Sequence, residues 1–219
     1  MISEGFDSDC TFCIQFNRGY KIVGKRKIKN FILYQTPNFV VFSALGPLIE
    51  GHLLITPKKH CYSIAGLPPD TYEELESLVK NVGQLLAKEY CKPIFFEHGT
   101  VSRLSRGGTS IDHCHLHAVP VNLDLAEILD KKFKKKEVVS LQELKNNFDE
   151  QKPYLFYESL TGQRFCYELQ EKLESQYLRK VISESIVRKK YWNWREYPRT
   201  ECFLKTLRKL SLIKLIWNF

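Results

Sequence analysis

The 219-residue chain is predicted to be an α+β protein, an antiparallel sheet packed against one long helix and followed by a mixed helical and hairpin appendage. Three observations predict this. Short apolar runs at residues 31–35, 39–44 and 51–57 are divided by turn residues such as Thr36-Pro37-Asn38. The pattern then changes to helical period behind Pro68, Pro69 and Asp70, with Tyr72, Leu75, Val79, Val82, Leu86 and Tyr90 on one face. Two further strand-like runs, 93–97 and 111–119, enclose a loop at 99–108.

Taken in order, Cys10-Thr11-Phe12-Cys13 opens the ordered part, and the basic stretch after it, with Gly19 and Gly24, reads as loop. The strands, the helix and the two closing strands come next. A boundary is expected near residues 120–122, giving units of 1–122 and 123–219. The second unit begins with an expected helix at 123–133, a lysine run, and a helix at 140–148. A hairpin around Thr161-Gly162 joins 154–158 to 164–169, and helices are expected at 175–187 and 201–212.

Composition narrows the function classes. A hydrophobic content of 43% suffices for a core, and no apolar run reaches the length of a membrane-spanning helix. Met1-Ile2-Ser3-Glu4 opens with an acid and no apolar h-region, which argues against a signal peptide. Seven irregularly spaced cysteines read as reduced thiols in a cytoplasmic setting and not as a disulfide framework. The net charge of +8 fits an anionic partner. Lysine runs at 21–29 and 131–136 read first as solvated surface, so nucleic acid is not the favoured partner.

The chemistry concentrates in His113-Cys114-His115-Leu116-His117-Ala118-Val119. On an extended segment, period-two alternation turns the three imidazoles to one face and Cys114, Leu116 and Ala118 to the other. Metal ligation and nucleophilic or acid–base chemistry are the two reasons to place three titratable rings side by side. All six histidines lie between positions 52 and 117. Cys10 and Cys13, with His60 and His113, have the character of a closed structural zinc set, although no spacing rule alone ties them together. As a redox pair the two cysteines would want an adjacent βα unit, which the pattern lacks.

The Cys-x-x-Cys opening, Pro57-Lys58-Lys59-His60, and the run from Gly107-Gly108-Thr109-Ser110-Ile111-Asp112 through the three histidines together resemble the histidine-triad family of nucleotide hydrolases and transferases. The resemblance covers residues 10–120. It implies that His115 is the nucleophile that takes up a nucleoside monophosphoryl group as phosphohistidine. It also implies that His117 contacts the phosphate, that His52 stands behind the active site, and that Ser110 hydrogen-bonds the phosphate or leaving group. His113 would complete a zinc site with Cys10, Cys13 and His60, and the family tendency to dimerise implies a homodimer. Gly107 and Gly108 admit backbone N–H groups close to phosphate oxygens.

The chain also departs from that family. Ala44 stands where many members carry an acid for the ribose hydroxyls, and Thr109 where a glutamine is common. In Glu97-His98-Gly99, Glu97 would set a carboxylate near the phosphate unless Arg103, Arg106 or His98 pairs with it. His98 reads as an acid for the leaving group or as a plain loop histidine, and Arg103 and Arg106 as a phosphate clamp or as solvated arginines. In the tail, Gln176, Arg179, Trp192 and Trp194 either stack a base and hold its phosphates or cap a small helical core. The expected activity is hydrolysis or transfer of a nucleoside monophosphate from a phosphoanhydride or phosphoramidate. Repair of adenylated nucleic acid and a non-catalytic nucleotide-binding scaffold are the alternatives.

Overall fold

The computed structural model describes residues 5–102, 111–186 and 190–213. Its architecture is α+β, as the alternation of short apolar runs with one long amphipathic stretch predicts. One eight-stranded antiparallel sheet is built from β3 (Ile32–Gln35), β4 (Phe39–Ser43), β5 (Leu53–Pro57), β6 (Pro93–Gly99), β7 (Leu116–Pro120), β8 (Lys135–Glu137), β9 (Tyr154–Glu158) and β10 (Arg164–Glu168), in the spatial order 3-4-5-7-6-9-10-8. The long helix α2 (Tyr72–Glu89) buries Tyr72, Leu75, Leu78, Val79, Val82, Leu85 and Leu86 against one face. Glu73 and Glu74 in its first turn and Lys88 in its last suit the helix dipole.

The other face carries two apolar clusters with the histidines between them. Over β3 and β4 lie α1 (Thr11–Arg18), the hairpin β1 (Tyr20–Val23) and β2 (Arg26–Lys29), and Phe203 of α6 (Thr200–Ile213). Over β6 and β9 lie α3 (Ala126–Asp130) and α5 (Tyr177–Ser185), packed on Phe96, Leu155 and Tyr157. A short α4 (Lys145–Asp149) completes the chain's helices among the described residues.

Several sequence expectations change. The basic stretch after Cys13 is a helix and a hairpin, not a loop. Gly19, with φ +67°, closes α1, and Gly24, with φ +61°, turns the hairpin. Within it Lys21 is fully buried instead of solvated, because β1 alternates and turns Lys21 and Val23 inward. Its Nζ sits 3.9 Å from the Phe42 ring centroid, and burial drives its pKa well below the ordinary lysine value. The triad strand begins only at Leu116, so His113 and His115 precede it. Cys114 N–H donates to Cys61 O at 2.7 Å there. The expected helix at 123–133 shrinks to α3, and the 140–148 helix splits into a 3-10 turn at Leu141–Leu144 followed by α4. The lysine run contributes β8, an edge strand whose side chains all face water, a composition that discourages further strand pairing.

The sheet crosses residue 122 without a break. β9 pairs with β6 from Phe95↔Glu158 to Gly99↔Tyr154, and this contact requires a glycine. A Cβ at position 99 would fall 2.2 Å from the Tyr154 ring. Among the described residues no helix is long and apolar enough to cross a membrane.

Candidate active site

Strand registers decide which histidines meet. Leu54 and Phe96 both pair with His117, which puts these three on one face with His52, His98 and His115 two residues away along their own chains. Phe96 stacks flat on His117, with centroids 4.4 Å apart and planes 8° apart, fixing the ring. His115 meets His117 edge-on at 5.1 Å. Glu97 points to the opposite face, so the expected carboxylate beside the phosphate is not there. It is buried under α2, accepting from Tyr154 Oη at 2.5 Å, Ile64 N–H at 2.9 Å and Cys114 Sγ at 3.4 Å.

Backbone partners assign the proton on each triad ring. His115 Nδ1 lies 2.6 Å from the His113 carbonyl, which can only accept, so Nδ1 carries the hydrogen and Nε2 keeps its lone pair. Leu48 N–H donates to His52 Nδ1 at 3.1 Å, which leaves the hydrogen of neutral His52 on Nε2. That Nε2–H donates to His117 Nδ1 at 2.8 Å, and the His117 hydrogen is therefore on Nε2. His113 Nε2 donates to Pro57 O at 2.9 Å, freeing Nδ1. Two neighbouring rings thus hold complementary states, a lone pair on His115 and an N–H on His117.

Electrostatics keeps these rings neutral. Burial, followed by His115, His52 and then Arg179, lowers His117 well below the usual imidazole value, and burial, followed by Arg179 and Arg199, does the same to His52. Burial lowers His115 to about 4, against the opposing pull of the His113 carbonyl. The sign follows directly. A depressed pKa leaves the His115 lone pair available from pH 5 upward, and any reaction that uses it fails only in acid, through about pH 4. A pH profile of kcat/KM is expected to lack the limb near 6.5 that an ordinary histidine would give. A limb near 6.5 that disappears with His115 would contradict this.

Glu97 shows the reverse shift. Burial pushes its carboxyl up to about 7, while the bonds from Tyr154, Ile64 and Cys114 pull the other way. Its folded pKa therefore exceeds its unfolded value, so the folded protein binds more protons between about pH 4.5 and 7, and stability falls as pH rises through that window. Glu97→Gln is expected to flatten the Tm-against-pH curve there. An unchanged slope would show that Glu97 is not its source.

The pocket over these rings is walled by Phe12, Leu45, Leu54, Phe96 and Ile111, with His98, His115 and His117 among its polar groups. The tail closes it with Gln176, Arg179 and Trp194, so these residues reach the histidines instead of only capping a helical core. The space left among the described residues is about 40 Å³. Gln176 accepts from Trp194 N–H at 3.3 Å and donates to Asn193 Oδ1 at 3.4 Å. Arg103, Arg106, Gly107, Gly108, Thr109 and Ser110 lie outside the described residues. Sequence reasoning missed Phe12 as a wall residue, although its place inside the Cys-x-x-Cys pair was a readable signal.

Beside this pocket Cys10, Cys13, His60 and His113 form a cluster whose four donor atoms lie within 4.8 Å of one another. Cys10 Sγ is 3.2 Å and Cys13 Sγ 3.6 Å from His113 Nδ1, and Cys13 Sγ is 3.7 Å from His60 Nδ1. Bond lengths of about 2.3 Å to sulfur and about 2.0 Å to nitrogen put tetrahedral donors roughly 3.5 Å apart, so the set fits a metal ion. A hydrogen bond from Cys10, helped by His113 and His60 and opposed by burial, draws Cys13 down toward thiolate. Asp7 Oδ2 lies 3.7 Å from His60 Nε2, on the far side of the ring from the cluster.

Residues 25–122 match the HIT domain model. The chain is 27% identical over 113 residues to an uncharacterized HIT-like protein of Borreliella burgdorferi, covering 51% of this chain and 75% of that protein. It is 28% identical over 115 residues to adenosine 5'-monophosphoramidase HNT1 of Candida albicans, covering 52% and 70%. It is also 27% identical over 134 residues to the CWF19-like protein 2 homolog of Caenorhabditis elegans, covering 61% of this chain but 26% of that protein. Among solved structures, a hypothetical histidine triad nucleotide-binding protein from Sulfolobus tokodaii aligns at TM-score 0.41 and 24% identity, over 65% of this chain and 91% of that one. With the triad rings, their register and the match to the HIT domain model in agreement, residues 25–122 form a HIT domain.

Proposed function

We propose that the chain cleaves or transfers a nucleoside monophosphate from a phosphoanhydride or phosphoramidate through a covalent intermediate on His115. The observation that carries this reading is the pair of complementary ring states, a lone pair on His115 Nε2 next to an N–H on His117 Nε2. The His115 lone pair forms an N–P bond as the bond from phosphorus to the leaving atom breaks. That atom departs with the bonding pair and takes a proton from solvent. The attacking ring becomes positive, and the His113 carbonyl on its Nδ1–H stabilises that charge. His117 Nε2–H meets a phosphoryl oxygen, held in register by His52. Water, or a second nucleophile, then attacks phosphorus, the N–P pair returns to His115, and the surplus proton leaves to solvent.

Ser110, Gly107, Gly108 and Thr109 are assigned to the phosphate, and Gln176 and Arg179 to the substrate from the tail side. His98 is assigned to the leaving-group end, because it lines the same pocket. A zinc ion held by Cys10, Cys13, His60 and His113 would have no open position and would brace α1 against His113. The Pro57 carbonyl orients His113, and the Asp7 carboxylate stands 3.7 Å from His60 Nε2.

The test is incubation with dinucleoside polyphosphates and nucleoside phosphoramidates, with trapping of an acid-labile, base-stable adduct on His115. Release of monophosphate by the intact chain alone supports the reading. Binding without release across the panel would make the chain a nucleotide-binding scaffold.

A further inference from the structure

Arg179 is the one permanently charged side chain among the described residues of the pocket wall, and no carboxylate shares that wall. It is only 5% exposed, and two neutral carbonyls pin its guanidinium: Nε donates to Trp192 O at 2.9 Å and Nη2 to Gly46 O at 2.6 Å. Nη1 has no hydrogen-bond partner among the described residues. Burial and then the neighbouring Arg199 lower this guanidinium to about 9, with no acid opposing them. Arg199 is docked on the same loop, 2.5 Å from Pro47 O and from Leu48 O. Two guanidinium groups facing one loop, one of them deeply buried and without a counter-ion among the described residues, describe a place suited to an anion.

Strand register says which anion. Phe42, Leu54 and His117 share one row across the sheet, and Ala44, bonded through its N–H to His52 O, stands two residues beyond Phe42. His115 stands two residues from His117 in the opposite direction. The Ala44 row therefore lies four residues along the chain direction from His115, and Arg179, bonded to Gly46 O, enters from the Ala44 side, near enough for its charge to act on His52, His117 and His115. A phosphoryl group between His115 and His117 occupies one end of the pocket, and the pinned guanidinium occupies the other. Ala44 and Leu45 line the same pocket, offering no acid to a free ribose diol. An arginine at the ribose in place of a carboxylate is the arrangement that accepts a ribose phosphate.

We propose that Arg179 binds a second phosphate carried on the ribose. The substrate is then a nucleoside with its reacting linkage at the 5′ position and a phosphate at the 2′ or 3′ position. This rests on the reading of the pocket as a nucleotide site. The shared chemistry is met by a free nucleoside bisphosphate and by the 5′-terminal nucleotide of an oligonucleotide.

The test is calorimetric titration of the full chain with adenosine 5′-monophosphate, adenosine 3′,5′-bisphosphate, adenosine 2′,5′-bisphosphate and a 5′-phosphorylated dinucleotide. One bisphosphate is expected to bind about tenfold or more tightly than the monophosphate. Arg179→Gln should erase that excess, and Arg179→Lys should keep part of it. A dinucleotide that matches the bisphosphate assigns the second phosphate to an oligonucleotide end, and one that binds like the monophosphate assigns it to a free nucleotide. Equal affinity of all ligands for the wild-type chain overturns the second phosphate alone. Equal weakening of monophosphate and bisphosphate in Arg179→Gln also overturns it, because Arg179 would then serve the reacting phosphate or the fold. Should Arg179→Gln fail to fold by thermal melt, the wild-type ratio and its retention in Arg179→Lys decide the matter. Absence of binding by any of the four would instead sink the nucleotide site itself.

Discussion

His115→Asn is expected to lower kcat by about four orders of magnitude while nucleotide Kd changes less than about threefold. The contrast is what a nucleophile requires, since the ring's lone pair matters only as the N–P bond forms. Asparagine occupies similar space but offers no nitrogen nucleophile, and it cannot carry the positive charge that the His113 carbonyl stabilises. His117→Ala serves as the graded comparison. It removes one hydrogen-bond donor to the phosphoryl group, a loss worth about 10²- to 10³-fold. Single-turnover measurements separate the two, because His115→Asn forms no adduct whereas His117→Ala forms it slowly. Activity of His115→Asn within tenfold of wild type would remove the covalent route.

Cys10→Ala and Cys13→Ala are expected to have the largest effect on stability. One zinc per chain should be found in the wild type and less in each variant, with Tm lowered by about 10 °C, the scale of a loss of about 3–5 kcal/mol in a chain of this size. The reasoning is local. α1 is short, has no side-chain cap at its start, and carries no acid in its first turn. Besides the cluster, it is held by Phe12 and Phe16 against Phe42 and His113. Phe12 also meets His115 edge-on at 5.9 Å and lines the pocket, so loosening α1 is expected to raise KM more than it lowers kcat. A chain that keeps its Tm and its kinetics after chelation would show that the four residues pack without an ion.

The sequence was most readable where periodicity and chemistry coincide. Alternation around His113, His115 and His117 placed their rings on one face, and the 3.6-residue repeat of α2 located the helix to within a few residues. The metal set was legible through residue type and resemblance, and its convergence became visible only when β5, α1 and the approach to β7 were folded together. Other features were hidden for physical reasons. α1 is short and has balanced polarity, so only Gly19 marks it. Lys21 defies composition, since burial under phenylalanine rings depends on tertiary packing. Glu97 was placed near phosphate because neighbours in sequence were treated as neighbours in space. A strand sends adjacent residues to opposite faces, and Phe96 took the histidine side. The tail's reach into the pocket depends on the Arg179 bond to Gly46, 133 residues away, which no local pattern encodes.

The pairing of β9 with β6 bears on how this molecule can be dissected. Cutting the chain at residue 122 would strip a neighbour from the strand that stacks on His117, baring a row of amide and carbonyl groups beside Phe96. Such a fragment would hold the whole triad and yet present an adhesive margin, and it would lack the Arg179 guanidinium that lines the pocket. Its aggregation or inertness would report on a torn seam and not on the competence of the histidines.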